Sequence, residues 1–190
     1  MKTTSIMIVG VGGQGTLLAS KLLGNVLISA GYDVKLSEVH GMSQRGGSVV
    51  TYVRYGDRVY SPIVDQGEAD YILSFEILES ARWISYLKED GVLLTNTQKT
   101  WPMPVITGAM PYPENIVEKL SAMADVTAVD ALALAEQAGS PKAVNVVLIG
   151  VLSRRMSEIP EEAWIRAIEQ TVPPKFLEMN KKAFRLGREA

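Results

Sequence analysis

Apolar residues come in short blocks along this chain, and their period changes from block to block. Ser5–Val9 is a continuous apolar run that stops at Gly10, as expected for a strand buried on both faces. From Thr16 to Ala30 the apolar positions Leu17, Leu18, Leu22, Leu23, Val26 and Leu27 recur at helical spacing, and Gly31 ends the pattern. Val34–Val39 reads as a second strand. Strand, glycine-rich turn, helix and strand make a βαβ unit, which implies a parallel sheet. A polar, glycine-bearing loop follows at His40–Ser48. Val49–Tyr55 then alternates and is β-branched or aromatic, so it reads as a strand. Gly56-Asp57 is a turn, and Arg58–Ile63 is its expected hairpin partner.

The pattern continues with a buried strand at Tyr71–Phe75, a helix over Glu76–Lys88 and a strand over Gly91–Thr95. Trp101-Pro102-Met103-Pro104 is an irregular connection. Pro111-Tyr112-Pro113 leads into a helix at Glu114–Met123. A short strand follows at Val126–Val129, then a helix with Asp130 as its N-cap. From Ala143 onward the signal is helical: Asn145–Met156 largely buried, Pro160–Gln170 amphipathic and Pro173–Arg188 the last. No Gly/Ser-rich linker interrupts the chain. The expectation is one α/β domain over residues 1–190, a Rossmann-like, mostly parallel sheet flanked by helices, with a helical C-terminal part from about 143 to 190.

Composition narrows the chemistry. The 190 residues are 47% apolar and 21% charged, with a net charge of −2 and scattered basic residues, so neither nucleic acid nor an anionic membrane is an expected partner. There is no cysteine, which excludes disulfides, a cysteine nucleophile and thiolate ligands to zinc or an iron–sulfur cluster. The single histidine, His40, excludes a multi-histidine metal site. The N-terminal apolar run is too short for a signal peptide and ends in glycines. No segment is long and apolar enough to span a bilayer, and a cytoplasmic location is expected.

Two glycine loops carry the candidate chemistry. Gly10-Val11-Gly12-Gly13-Gln14-Gly15-Thr16 lies between the first strand and the first helix, with Gly10, Gly12 and Gly15 in G-x-G-x-x-G spacing. Glycine there permits a tight turn and a close backbone approach, and the helix N-terminus favours an anion. The reading as an NAD or FAD site asks for an acid at the end of the second strand, and Glu38 stands there. The same glycines also fit a tight turn with no ligand, and Gly13 and Gln14 are unusual in a simple dinucleotide loop. The second loop, His40-Gly41-Met42-Ser43-Gln44-Arg45-Gly46-Gly47-Ser48, follows the second strand and so lies at the same carboxyl edge. Arg45 suits a phosphate or carboxylate clamp, and Ser43, Gln44 and Ser48 add neutral hydrogen-bonding groups. His40 is read as a packing residue rather than an acid–base catalyst.

Together, Val9–Gly15 and Glu38–Val49 resemble the gamma-type domain of the 2-oxoacid:ferredoxin oxidoreductases, with the pattern nearest that of the small (beta) subunit of indolepyruvate ferredoxin oxidoreductase. Thr51–Tyr55, Glu68-Ala69-Asp70 and Asn145 fit the same likeness, which spans nearly the whole chain. The family oxidatively decarboxylates a 2-oxoacid on thiamine diphosphate, passes electrons through iron–sulfur clusters to ferredoxin and transfers the acyl group to coenzyme A. The resemblance implies that thiamine diphosphate, magnesium and the clusters belong to other subunits, and that this chain, inactive alone, packs against them and forms the coenzyme A side of the active site. It further implies that Gly10, Gly12, Gly13, Gln14, Gly15 and Thr16 line an anion-accepting turn, with Ser43, Gln44, Arg45, Gly46 and Gly47 facing the same cleft. The absence of cysteine agrees with that division, as does the absence of a Gly-Asp-Gly motif followed by Asn-Asn. A free-standing NAD- or FAD-binding enzyme and a non-catalytic scaffold relative are the competing readings.

Overall fold

A computed structural model describes residues 3–38, 43 and 45–190 of the chain. Strand β1 (Thr4–Val11) lies inside a six-stranded sheet, and Ile6, Met7, Ile8 and Val9 are fully buried, which explains the unbroken apolar run. With β2 (Asp33–Glu38), β3 (Ser48–Gly56), β4 (Ala69–Ser74), β5 (Leu87–Asn96) and β6 (Asp125–Val129), the strand order is β2-β3-β1-β4-β5-β6. Pairings β1–β4, β4–β5 and β5–β6 are parallel, whereas β3 runs antiparallel to both β1 and β2. The sheet is thus mostly parallel, as expected, with one reversed strand.

That reversal alters two expectations. The first βαβ unit does give co-directional β1 and β2, but β3 sits between them and runs back antiparallel to β2, with Glu38 opposite Thr51 and Asp33 opposite Gly56. With a neighbour on each side, β3 has no edge left to pair with a returning strand. The expected hairpin partner, Arg58–Ile63, is accordingly irregular. It is held by side chains instead: the Arg54 guanidinium donates to the Ile63 carbonyl at 2.8 Å, and the Val59 N–H donates to the Asp33 carboxylate at 2.8 Å. Strand β2 becomes an edge, and Lys35 in its middle suits an edge that must not recruit another strand.

Alternate residues of the sheet feed two cores. Ile6, Ile8, Val53, Leu73 and Leu94 face α1 (Thr16–Ser29), α5 (Ala131–Ala138), α6 (Val144–Arg155), α7 (Glu161–Thr171) and α8 (Leu177–Glu189). Met7, Val9, Val50, Ile72 and Leu93 face α2 (Ile77–Trp83) and α4 (Ile116–Ser121), while the short α3 (Met103–Ile106) lies in the exposed segment after β5. The helix expected over Glu76–Lys88 is shorter: it closes in a 3-10 turn at Ile84–Tyr86, because Leu87 already pairs with Ala69 and Lys88 forms an ion pair with Asp70.

The C-terminal helices are integral to the larger core. Helix α6 is buried from Val144 to Ser153, and Trp164 and Phe184 stack with ring centroids 6.1 Å apart. Helices α6 and α8 touch backbone to backbone. A Cβ on Gly150 would lie 2.2 Å from the Phe184 carbonyl oxygen, and one on Gly187 would lie 2.0 Å from that of Val147. Among the described residues no helix is long and apolar enough to cross a membrane.

Candidate functional site

Both glycine loops lie at the edge where β1, β2, β4, β5 and β6 end and β3 begins, so ligand-facing loops gather there. The first loop is built from its own sequence. The Val11 N–H donates to Gln14 Oε1 at 2.8 Å, and the Gln14 N–H donates to the Val11 carbonyl at 3.2 Å. Gln14, odd for a dinucleotide loop, therefore serves as the loop's internal brace. Gly15 caps α1 with φ near 87°, a left-handed conformation that side chains resist, and Gly13 has φ near 97° with open space around it. Helix α1 has no acid in its first turn, so the partial positive charge of its N-terminus is not neutralised by its own side chains.

The two loops touch. The Gly12 N–H donates to the Gly47 carbonyl at 2.9 Å, and the Gly47 N–H donates to the Ser43 carbonyl at 2.9 Å. Ser48 then donates to the Glu79 carboxylate. Arg45 and Gly46 are exposed. The expectations for His40, Met42 and Gln44 lie outside the described residues.

Three clefts border the loops. One, of about 280 Å³, lies between the first loop and β3, lined by Gly12, Gly13, Gly15, Thr16, Leu17 and Val49–Thr51. Leu17 departs from the buried stripe of α1 and is 46% exposed at this mouth. A second, of about 490 Å³, lies on the opposite side, lined by Gly13, Gln14, Gly15, Gln98, Lys142 and Asn145 among others. At a third, of about 230 Å³, Val11 of the first loop meets Gly46, Gly47 and Ser48 of the second, with Glu76, Glu79, Arg82 and Trp101. Arg45 is not among the residues lining these three clefts. Gly10 lies beneath the loop, where a Cβ would meet Gln14 Oε1 at 2.8 Å and Phe75 Cβ at 2.9 Å.

Glu38, the candidate ribose acid, accepts a hydrogen bond from Ser20 Oγ of α1 at 2.6 Å, so its carboxylate ties β2 to α1. Two other acids were read only as helix residues. Glu76, 1% exposed, accepts from the Leu78 N–H at 2.7 Å and the Glu79 N–H at 3.0 Å on one oxygen. Its other oxygen accepts from the Thr100 N–H at 2.8 Å and the Tyr112 hydroxyl at 3.0 Å. Burial first, and then the Glu76 charge, push the Tyr112 phenol well above its usual range, which keeps it a donor. Glu79 joins Ser48, Trp83 Nε1 at 3.3 Å and Arg82 at 3.1 Å. The available signal was position: an acid directly after a buried strand, at the carboxyl edge.

The family model for pyruvate ferredoxin/flavodoxin oxidoreductase matches residues 5–190. The chain belongs to that family. The indolepyruvate oxidoreductase subunit IorB of Thermococcus kodakarensis is 46% identical over 196 residues, covering 100% of this chain and 96% of that one. The pyruvate oxidoreductase subunit PORC of Thermotoga maritima superposes with a TM-score of 0.77 at 26% identity, over 100% of this chain and 97% of that one. A 2-oxoglutarate:ferredoxin oxidoreductase from Magnetococcus marinus superposes with a TM-score of 0.75 over 100% of this chain but 31% of that one; at 18% identity this likeness concerns the fold alone. Membership in the pyruvate ferredoxin/flavodoxin oxidoreductase family agrees with the two-loop resemblance and with a role as one subunit of a 2-oxoacid:ferredoxin oxidoreductase. It does not support a free-standing NAD or FAD enzyme, and Glu38 is in any case engaged by Ser20.

Proposed function

We propose that this chain is the gamma-type subunit that completes the coenzyme A side of a 2-oxoacid:ferredoxin oxidoreductase, with indolepyruvate as the substrate of the assembled enzyme. The substrate assignment follows the name carried by the 46% identical relative. The observation that carries the binding role is the preorganised first loop, braced by Gln14, closed on Gly47 and open to clefts on both sides. Such a loop receives an anionic ligand without rearranging, which limits the ordering cost of binding.

The partner supplies the redox groups. This chain has no cysteine to hold an iron–sulfur cluster, and among the described residues no cluster of His, Cys, Asp or Glu could hold a metal ion. Thiamine diphosphate, magnesium and the clusters belong to the partner in this reading, and ferredoxin meets the complex there. The contribution of this chain is to bind, orient and cover. The segment after β5 exposes Trp101, Met103, Ile106 and Met110 beside the third cleft, an apolar surface suited to the partner.

Co-expression with a thiamine- and cluster-binding subunit tests the proposal. The expected product is a brown complex that reduces viologen dye with coenzyme A and indolepyruvate in preference to pyruvate, 2-oxoglutarate or a branched oxoacid. A colourless chain that captures no such partner would overturn it, and preference for another oxoacid would overturn the substrate assignment.

A further inference from the structure

The three clefts that border the glycine loops differ in charge, and the difference decides which one suits phosphate. The cleft toward β3 is lined by glycine backbone, Thr16, Leu17, Val49, Val50 and Thr51, with no ionisable side chain among the described residues. The cleft toward α2 holds Glu76 and Glu79, which repel an anion, and its Arg82 is already paired with Glu79 at 3.1 Å. The cleft toward α6 is the largest of the three, contains Lys142 and, among the described residues, is lined by no carboxylate. Among the described residues the Lys142 ammonium makes no ion pair.

Asn145 forms the base of that cleft. It is 5% exposed and is the polar side chain in the otherwise apolar stretch Val144–Leu152. A buried amide is costly unless its hydrogen bonds are used. Its Oδ1 accepts from the Val146 N–H at 2.9 Å, which leaves Nδ2 turned toward the glycine loop, 3.4 Å from the Gly15 carbonyl oxygen. A Cβ at Gly15 would come within 2.7 Å of that nitrogen, so the loop and the amide are fitted to each other.

We infer that the α6-side cleft receives the phosphate-bearing end of the ligand, with Asn145 as the positioning residue that sets the Gly15 turn and Lys142 as the residue whose charge selects phosphate. This rests on the proposal that the first loop takes coenzyme A. The cleft toward β3, with Leu17 at its mouth and valines along its wall, is left for the less polar arm of the same molecule.

The test uses the assembled complex and steady-state kinetics with coenzyme A, dephospho-coenzyme A and pantetheine. Lys142 is exposed, so Lys142→Glu leaves the fold intact. It raises the KM for coenzyme A by at least about tenfold, the equivalent of one charged hydrogen bond. The kcat and the oxoacid KM stay within about twofold, because charge recognition in binding is separate from the chemical step. Pantetheine, which has no phosphate, is used equally by the variant and the parent. Persistence of the effect with dephospho-coenzyme A assigns Lys142 to the pyrophosphate, and its disappearance assigns Lys142 to the ribose phosphate. Asn145→Asp keeps the acceptor for Val146 but cannot donate to Gly15; it raises the coenzyme A KM while leaving kcat unchanged, a split that general destabilisation does not produce. Gly13→Asp, at the open tip of the loop, separates this inference from the reading beneath it. A raised KM in Gly13→Asp beside unchanged values in the Lys142 and Asn145 variants overturns the inference alone. Unchanged values in all three overturn the assignment of coenzyme A to the loop.

Discussion

Replacing Glu76 by glutamine removes a charge without changing shape, and its cost follows from the bonding pattern. Each carboxylate oxygen takes two donors: Leu78 and Glu79 N–H groups on one, the Thr100 N–H and the Tyr112 hydroxyl on the other. A carboxamide has one acceptor oxygen, so whichever way it flips, its NH2 group faces a pair of donors. Flipped one way, α2 loses its N-cap; flipped the other, the Thr100–Tyr112 segment loses its anchor. Two hydrogen bonds to a charged acceptor at roughly 1.5–3 kcal/mol each suggest a loss of about 3–6 kcal/mol. Urea unfolding of the isolated chain, followed by far-UV circular dichroism, measures it. The expected result is a lower midpoint with an unchanged slope, against a shift below about 0.5 kcal/mol for the exposed control Glu68→Gln. A loss under about 1 kcal/mol for Glu76→Gln would refute the reasoning, because the carboxylate would then not be holding both elements.

Other outcomes follow from the same structure. Gly187→Ala forces a Cβ to 2.0 Å from the Val147 carbonyl oxygen, so α6 and α8 must separate; a loss of about 3 kcal/mol or more is expected in the same assay, and an unchanged midpoint would contradict the backbone contact. Trp101→Ser with Met103→Ser alters exposed positions, so stability changes by under about 0.5 kcal/mol while co-purification with the thiamine-binding subunit is lost; full capture would refute the docking role. The Lys35 ammonium, and then the Val59 N–H, hold the Asp33 carboxyl below its ordinary value. The folded state therefore binds this proton less readily than the unfolded chain. That contribution is present above the ordinary carboxylate pKa and lost as pH falls through the depressed one, so Asp33→Asn flattens the stability profile below about pH 4. An acid limb identical to the parent's would count against it.

Features set by local pattern were legible in the sequence. The run Ile6–Val9 stopping at glycine marked a central strand and the loop above it, and Asp130 caps α5 as read, accepting from the Ala133 N–H at 3.0 Å. Features set by tertiary pairing were not. The reversal of β3 depends on which strand fills the place beside β1, and alternation in Val49–Tyr55 is the same for either direction. Leu87 and Lys88 look helical until β4 is there to pair with them. At the site, the glycines announced the loop, whereas its division into clefts of opposite charge depends on Glu76, Glu79 and Lys142, side chains brought to one edge from distant segments. Glu38 shows the converse: it ends the second strand as a ribose acid would, but β3 stands between β2 and β1 and Ser20 bonds its carboxylate, neither of which strand spacing reveals.

The most direct test of the central claim is a titration of the purified thiamine- and cluster-binding subunit with this chain, followed by coenzyme A-dependent dye reduction. The account predicts no turnover from either component alone and a rate that rises with added chain to saturation at a fixed stoichiometry. Full coenzyme A-dependent activity from the partner without this chain would contradict it.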